Sequence, residues 1–373
     1  MLSRTLVIAR KELLQLRRDR LTLAMMIALP LVQLLLFGYA INTDVRHIPT
    51  LVYDADQSYE SRDLARSLEV TGFYDLVGAA RDHADIARAF AAGEARAALV
   101  IPARYAADLT RGRATTLQLV VDGSDPQVVA SATNTAASLV ASRGAELALR
   151  RSPAATATFE PMRVEPQILY NPELRTAVYV VPGLVGVILT MTMVMLTAMA
   201  IARERERGTL EQLIVSPVSP LELMLGKIVP YVTIGYVQMT LVLLLGRLVF
   251  DVPLAGSVVL LYALALLFIS ANLAIGLFFS TLAQTQQQAM QMSFFFLLPN
   301  MLLSGFMFPF EGMPQPARWL GQALPLTHFL RIVRGIALKG SSFGDVWTEL
   351  VWLASILAAL VLLASLRFSK KLA

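Results

Sequence analysis

The 373-residue chain contains no cysteine and only three histidines, and charged residues make up just 16% of it. Without cysteine there can be no disulfide and no thiolate metal site. His47 and His83 have no carboxylate or second histidine at metal-binding spacing, and Asp122 and Asp125, flanking Gly123-Ser124, read as a turn. No catalytic or metal-binding set emerges. A phosphate loop of the form Gly-x-x-x-x-Gly-Lys-Ser/Thr is also missing, since the lone Gly-Lys pair, Gly226-Lys227, lacks the preceding glycine. The chain is therefore expected to hydrolyse no nucleotide and to carry no cofactor of its own. A net charge of +5 could suit nucleic acid, but the placement of the basic residues points to lipid instead.

What the chain has in excess is apolar residues, at 56%. They come in blocks of about twenty, the length a helix rising 1.5 Å per residue needs to cross a hydrocarbon core of roughly 30 Å. Six spans are predicted, near 21–41, 177–201, 228–249, 257–282, 291–308 and 346–366. The first is too long for the apolar part of a signal peptide and ends without a convincing cleavage site, so a permanent anchor is expected. Pro299 and Asn300 interrupt the fifth, and Pro309 ends it. The stretch 309–345 mixes apolar residues with proline, glycine and basic side chains, and is expected to be re-entrant or interfacial.

Basic residues near the spans set the orientation. Arg4, Arg10, Lys11, Arg17, Arg18 and Arg20 precede the first span; Arg203, Arg205, Arg207 and Lys227 lie in the segment after the second; Arg367, Lys370 and Lys371 end the chain. Six spans put all three groups on one side, which the rule makes the cytoplasm. Arg318, Arg331, Arg334 and Lys339, in the last outer loop, run against it. Residues 1–20 carry an apolar stripe of Leu2, Leu6, Ala9, Leu13 and Leu16 opposite Arg4, Lys11 and Arg18, as a helix lying on the membrane would.

Residues 42–176 read as an extracytoplasmic domain. Strand-like runs at Thr50–Tyr53, Ala97–Ile101 and Leu117–Val121 alternate with helical ones, among them Asp82 to Gly93 and a longer helix opened by Asp125-Pro126. Such alternation predicts an α/β or α+β unit. The expected fold is thus an α-helical membrane protein of about six spans, carrying this domain after the first and a transmembrane domain over 177–373.

The most informative segment, 203–220, follows the second span. Alternating charge in Arg203-Glu204-Arg205-Glu206-Arg207 carries the helix out of the bilayer, and Gly208 permits a sharp turn. Thr209 with Gln212 forms a capping box that restarts a short helix; Ser219, Pro220 and Glu222 repeat that logic. Composition alone leaves this open between a bracketed helix and a solvated loop. The run Arg203 to Leu213, followed by Ser216-Pro217-Val218-Ser219, resembles the permease subunits of type-2 ABC exporters. Ala9-Arg10-Lys11-Glu12-Leu13 resembles their N-terminal interfacial helix. Leu99-Val100-Ile101-Pro102, Val121 to Asp125 and Tyr170-Asn171-Pro172-Glu173 resemble the outer domain of the drug- and multidrug-type subfamily and its lead into the second span. That resemblance implies a half-transporter that works with a second permease chain and with separate ABC ATPase subunits, which would hold the ATP and magnesium. It also implies that Glu204, Glu206, Gly208, Thr209, Leu210, Glu211 and Gln212 couple the chain to those ATPases, and that an outer domain receives substrate or docks a periplasmic adaptor.

Asn272 and Asn300 are costly in lipid and should face protein or water, which makes them candidates for a substrate path together with Met195. Met191, Met193, Met195 and Met199 could form an adaptable surface for varied ligands or be ordinary packing residues. The function these features imply is export of a drug-like or amphipathic substrate across a bacterial inner membrane. The rivals are a membrane-anchored sensor of periplasmic ligands with no ATPase partner, and an intramembrane enzyme, which would need paired catalytic groups that the spans lack.

Overall fold

The structure is a computed structural model that describes residues 45–151, 162–208 and 220–369, with side chains described except at 149–151, 220–229 and 365–369. The interfacial helix expected over 1–20 and the span expected over 21–41 lie outside the described residues.

Five strands, β1 (Ile48–Asp54), β2 (Tyr74–Ala79), β3 (Ala97–Ile101), β4 (Thr115–Asp122) and β5 (Met162–Leu169), form one sheet in the order β2-β1-β3-β4-β5. Strand β1 runs parallel to β2 and β3, whereas β4 is antiparallel to β3 and parallel to β5. Four helices accompany the sheet: α1 (Tyr59–Val70), α2 (His83–Ala92), α3 (Tyr105–Thr110) and α4 (Pro126–Arg151). The side-chain alternation of a strand divides the core in two. Ala97, Leu99 and Ile101 pack with Leu64 and Leu68 of α1 and Val128, Val129 and Ala132 of α4. Ala98 and Val100 pack on the other face with Ile86 and Phe90 of α2. Covered on both faces, β3 is buried along its whole length, which is why its sequence is apolar throughout. Asp82 caps α2 by accepting the Asp85 N–H at 2.7 Å, and Asp125 opens α4 by accepting that of Gln127 at 3.0 Å.

The rest of the described chain is helical: α5 (Thr176–Glu206), α6 (Pro220–Phe250), α7 (Val258–Leu282), α8 (Gln286–Leu303), α9 (Gln315–Gln322), α10 (Pro325–Arg334) and α11 (Trp347–Ser369). Among the described residues four helices are long and apolar enough to cross a membrane: Thr176–Glu206, Pro230–Phe250, Val258–Leu282 and Trp347–Ala364. They coincide with the predicted second, third, fourth and sixth spans. The fifth differs. Its helix begins at Gln286, where the Thr285 hydroxyl caps it by accepting the Gln288 N–H, and it ends at Leu303, before Gly305 turns the chain at φ +85°. Three glutamines at its start make it more polar than the apolar run alone suggested.

Helix α5 is the hub, packing against α6, α7, α8 and α10. Glycine brings α7 close to it: a Cβ on Gly276 would lie 2.6 Å from the Val194 carbonyl oxygen of α5. Segment 309–345 carries a 3-10 turn, the two short helices α9 and α10, and a π-helical turn over Gly335–Lys339. Helix α10 is buried from Pro325 to Leu330, and Phe329 stacks on Phe268 of α7 with ring centroids 4.1 Å apart. By contrast, Leu241, Leu244, Leu245 and Leu248 of α6 and Val361, Leu362 and Leu363 of α11 face outward.

Candidate functional site

Two clusters of polar side chains lie at opposite ends of α5, whose 31 residues span roughly 46 Å. At its N-terminal end the sheet unit meets the bundle. Lys339, the last residue of the π-helical turn, donates to Asp122 Oδ2 at 2.6 Å and to the Phe90 carbonyl at 2.9 Å. Ser341 donates to the Ala91 carbonyl at 2.8 Å. The cation thus meets the C-terminal end of α2, where the helix dipole favours positive charge. Arg96 bridges Asp122 and Glu311 at 3.3 Å each, so two acids and two bases alternate across the seam. Burial pushes the Asp122 carboxyl up, but Lys339 and Arg96 outweigh it and hold it below the usual carboxylate range. Lys339 lies below the usual lysine range, because burial costs more than Asp122 returns and Arg96 adds repulsion.

A cavity of about 220 Å³ opens beside this seam, lined among others by Arg96, Asp125, Glu311, Arg331, Arg334 and Glu349. Asp125 is buried, and burial together with Glu311 raises its pKa despite Arg334 and Arg96 nearby. Arg334 lies over the Tyr179 ring at 4.1 Å and donates to the Gly305 carbonyl at 3.1 Å. Its Nε and Nη2 have no hydrogen-bond partner among the described residues. Behind the cavity, His328 sits between the Gln322 carbonyl (Nε2, 2.8 Å) and Glu349 (Nδ1, 2.5 Å), and Glu349 also accepts from Arg331 at 2.9 Å. The basic residues that ran against the orientation rule are therefore engaged within the fold. Arg318 donates to the Met313 and Glu311 carbonyls, Arg331 pairs with Glu349, and Lys339 pairs with Asp122.

Neither this seam nor the Glu349 cluster was apparent in the sequence. Asp122 does shape a turn, accepting the Ser124 N–H at 3.0 Å, but it is fully buried rather than a solvated turn residue. His47, without a carboxylate neighbour along the chain, has one in space at Asp75, 2.9 Å away and exposed. The partners are far apart in sequence, so spacing carried no signal.

The other end of α5 holds the predicted coupling residues. Thr209, Leu210, Glu211 and Gln212 lie outside the described residues. Gly208 turns the chain at φ +69° with nothing within 4 Å of where a Cβ would stand. Glu204 is half-buried one turn earlier. Glu206 is exposed and bonds within the chain: Oε1 accepts the Gln286 backbone N–H at 2.9 Å and Oε2 accepts the Gln286 side-chain amide at 2.6 Å. Arg203 donates to Gln286 Oε1 at 3.0 Å, and Arg205 donates to the Ala283 carbonyl.

Between the two ends, Asn272 and Asn300 are fully buried. Asn272 donates to the Phe268 carbonyl at 2.9 Å, while its Oδ1, both side-chain polar atoms of Asn300, and the hydroxyls of Thr190 and Thr197 lack partners among the described residues. All sit on α5, α7 or α8, which pack together. An unmade buried hydrogen bond costs about 1–3 kcal/mol, so this seam is expensive to keep polar. Met195 is half-buried on α5. None of Met195, Asn272 and Asn300 lines the cavity at the junction.

Apolar helices of spanning length around a buried polar seam define a multi-pass membrane protein. Over residues 20–366 the chain matches the family described as ABC-2 family transporter protein, and it belongs to that family. It is 32% identical over 355 residues, covering 94% of both chains, to the Escherichia coli (strain K12) protein named "Probable multidrug ABC transporter permease YbhR". It is 29% identical over 334 residues to "Probable multidrug ABC transporter permease YbhS" of the same strain, covering 89% of this chain and 87% of that one. To "Inner membrane transport permease YhhJ", also of that strain, identity is 29% over 327 residues, 86% of this chain and 85% of the relative.

Proposed function

We propose that the chain is the permease subunit of an ATP-driven exporter in a bacterial inner membrane, moving a drug-like or amphipathic substrate outward. The observation that carries this is the family match across nearly the whole chain, joined to four helices long and apolar enough to cross a membrane and to buried, unsatisfied polar groups on α5, α7 and α8. The relatives' names support transport across the inner membrane and the class of substrate.

In this reading the chain crosses the membrane six times, both termini are cytoplasmic, and residues 42–176 form a periplasmic domain. ATP and magnesium are held by separate ATPase subunits, and a second permease chain, identical or related, completes the path. Closure of the ATPase pair presses on segment 203–220 and tilts α5 and α8. The switch is between two arrangements that nucleotide and substrate both bias. Thr190, Thr197, Asn272 and Asn300 are taken to line the path that opens between the tilting helices, with Met195 of α5 also contributing. The sheet unit receives substrate at the junction or docks a periplasmic adaptor there.

The decisive experiment is purification of the tagged chain in mild detergent, with identification of its partners and assay of ATP hydrolysis. Co-purification of a phosphate-loop ATPase, with hydrolysis lost when that subunit is stripped away, is expected. Saturable hydrolysis by the chain after every other polypeptide is removed would overturn the reading.

A further inference from the structure

We propose that Glu206 and Gln286 clasp the end of α5 to the start of α8 so firmly that the two ends move as one body. Gln286 then becomes the positioning residue through which a push on segment 203–220 reaches α8. This rests on the permease reading above and names a relay within it.

The clasp uses every polar atom that Gln286 presents there. Its backbone N–H, one of the donors a helix start leaves without an intrahelical partner, goes to Glu206 Oε1 at 2.9 Å. The side-chain amide donates to Glu206 Oε2 at 2.6 Å, and its oxygen accepts from Arg203 Nε at 3.0 Å. A carboxylate taking one N–H on each oxygen fixes its own plane, and an amide used as donor and acceptor at once cannot flip without breaking both bonds. Arg203 and Glu206 are three residues apart on α5, so they present side by side. Arg205 adds a third grip, on the carbonyl of Ala283 in the turn before α8. A carboxylate at the first residues of a helix also gains from the helix dipole.

Small residues continue the contact into the bundle. Ala198 and Ala202 of α5 pack with Ala283 and Ala289, buried together, and Met199 and Met292 flank them. Alanine lets two helices approach closely and leaves few side-chain rotamers to absorb a displacement. Polar clasp and alanine contact together join α5 to α8 over the first turns of α8. Past Leu297, the buried Asn300 lies roughly 21 Å along the helix from Gln286. A displacement at Glu206 therefore enters the polar seam along α8 as well as along α5.

The absence of native cysteine allows a clean test on the full complex with its ATPase subunits. In the first arm, Glu206→Cys and Gln286→Cys are bridged with a short bis-methanethiosulfonate reagent, and ATP turnover is measured before and after. If the ends move as one body, the bridged complex turns over within about twofold of the native complex. A loss of tenfold or more that a reducing agent reverses would show that the ends part in each cycle, and would overturn the proposal. In the second arm, Leu297→Cys reports on α8 through its maleimide labelling rate with and without vanadate-trapped nucleotide. A nucleotide-dependent change in rate is expected, reduced about tenfold when Gln286→Ala is added, a size typical of altered coupling along a contact network. No nucleotide effect at Leu297, or an effect that Gln286→Ala leaves untouched, would equally overturn the proposal. Failure of any ATPase to co-purify with the unmodified chain would instead overturn the permease reading itself.

Discussion

Lys339 reaches from the bundle into the sheet unit and sets its ammonium 2.6 Å from the carboxylate of Asp122, with 7% of the one side chain and none of the other exposed. This ion pair, Arg96 and Glu311 form the main polar bond between the two parts of the chain. Desolvation makes such a pair a modest contributor as a whole, but removing one member leaves a buried charge and costs about 3–5 kcal/mol.

Lys339→Ala should therefore lower the thermal unfolding midpoint of the purified protein markedly and make the junction a new site of proteolytic cutting. Replacing both partners, as in Lys339→Met with Asp122→Leu, should cost much less than the two single changes added together, because no orphaned charge remains. Equal and additive losses in a double-mutant cycle would mean the pair does not hold the units together.

Asp125 answers differently to pH. Burial raises its pKa, so the folded chain binds this proton more tightly than the unfolded one does. The stability it contributes is present below the unfolded carboxylate value near 4 and is lost as pH rises through the folded value. An asparagine amide at this position would mimic the protonated acid and keep an oxygen to cap Gln127. Asp125→Asn should raise the unfolding midpoint at pH 7 and change it little at pH 4. A variant less stable than the native chain at pH 7 would show that the charged carboxylate is needed there.

Much of the architecture was legible because hydropathy and caps act locally. The Ala97–Ile101 strand, the Asp82 and Asp125 caps and four helices of spanning length all stand in the structure where the sequence put them. The helix expected as the fifth span begins earlier, at Gln286, whose side chain is held by a partner eighty residues away, Glu206, which no local pattern reveals. The same holds for Lys339 with Asp122 and Arg331 with Glu349: two cations read as loop residues are paired across the fold. Gly208, in contrast, announced its turn through chain geometry alone.

Orientation can be checked with single cysteines. Tyr59 is 72% exposed at the start of α1, so Tyr59→Cys should be accessible without disturbing the core. With the sheet unit in the periplasm, Tyr59→Cys should react in intact cells with a membrane-impermeant thiol reagent that enters the periplasm. Ser369→Cys should react only after the inner membrane is opened. The opposite pattern would invert the topology and place the basic segment 203–220 outside.

The turn at Gly208 can be tested by rank order. At φ +69° any side chain is strained, yet nothing lies within 4 Å of the Cβ position, so the cost of a substitution is backbone strain rather than collision. Asparagine tolerates this left-handed region best among residues with a side chain, alanine less well, and a β-branched residue worst. Strain of this kind costs about 1–3 kcal/mol, enough to tip the segment after α5 into another geometry. Stimulation of ATP turnover by amphipathic compounds should therefore fall in the order Gly208, Gly208→Asn, Gly208→Ala, Gly208→Val, while insertion, the sheet unit and ATPase co-purification are preserved. Glu211→Ala should reduce the same stimulation by weakening contact with the ATPase. Glu206→Ala should reduce it by releasing Gln286, an effect that Gln286→Ala should mimic and the double variant should not deepen. If all three Gly208 variants were stimulated like the native complex, the angle at which the chain leaves α5 would play no part in coupling.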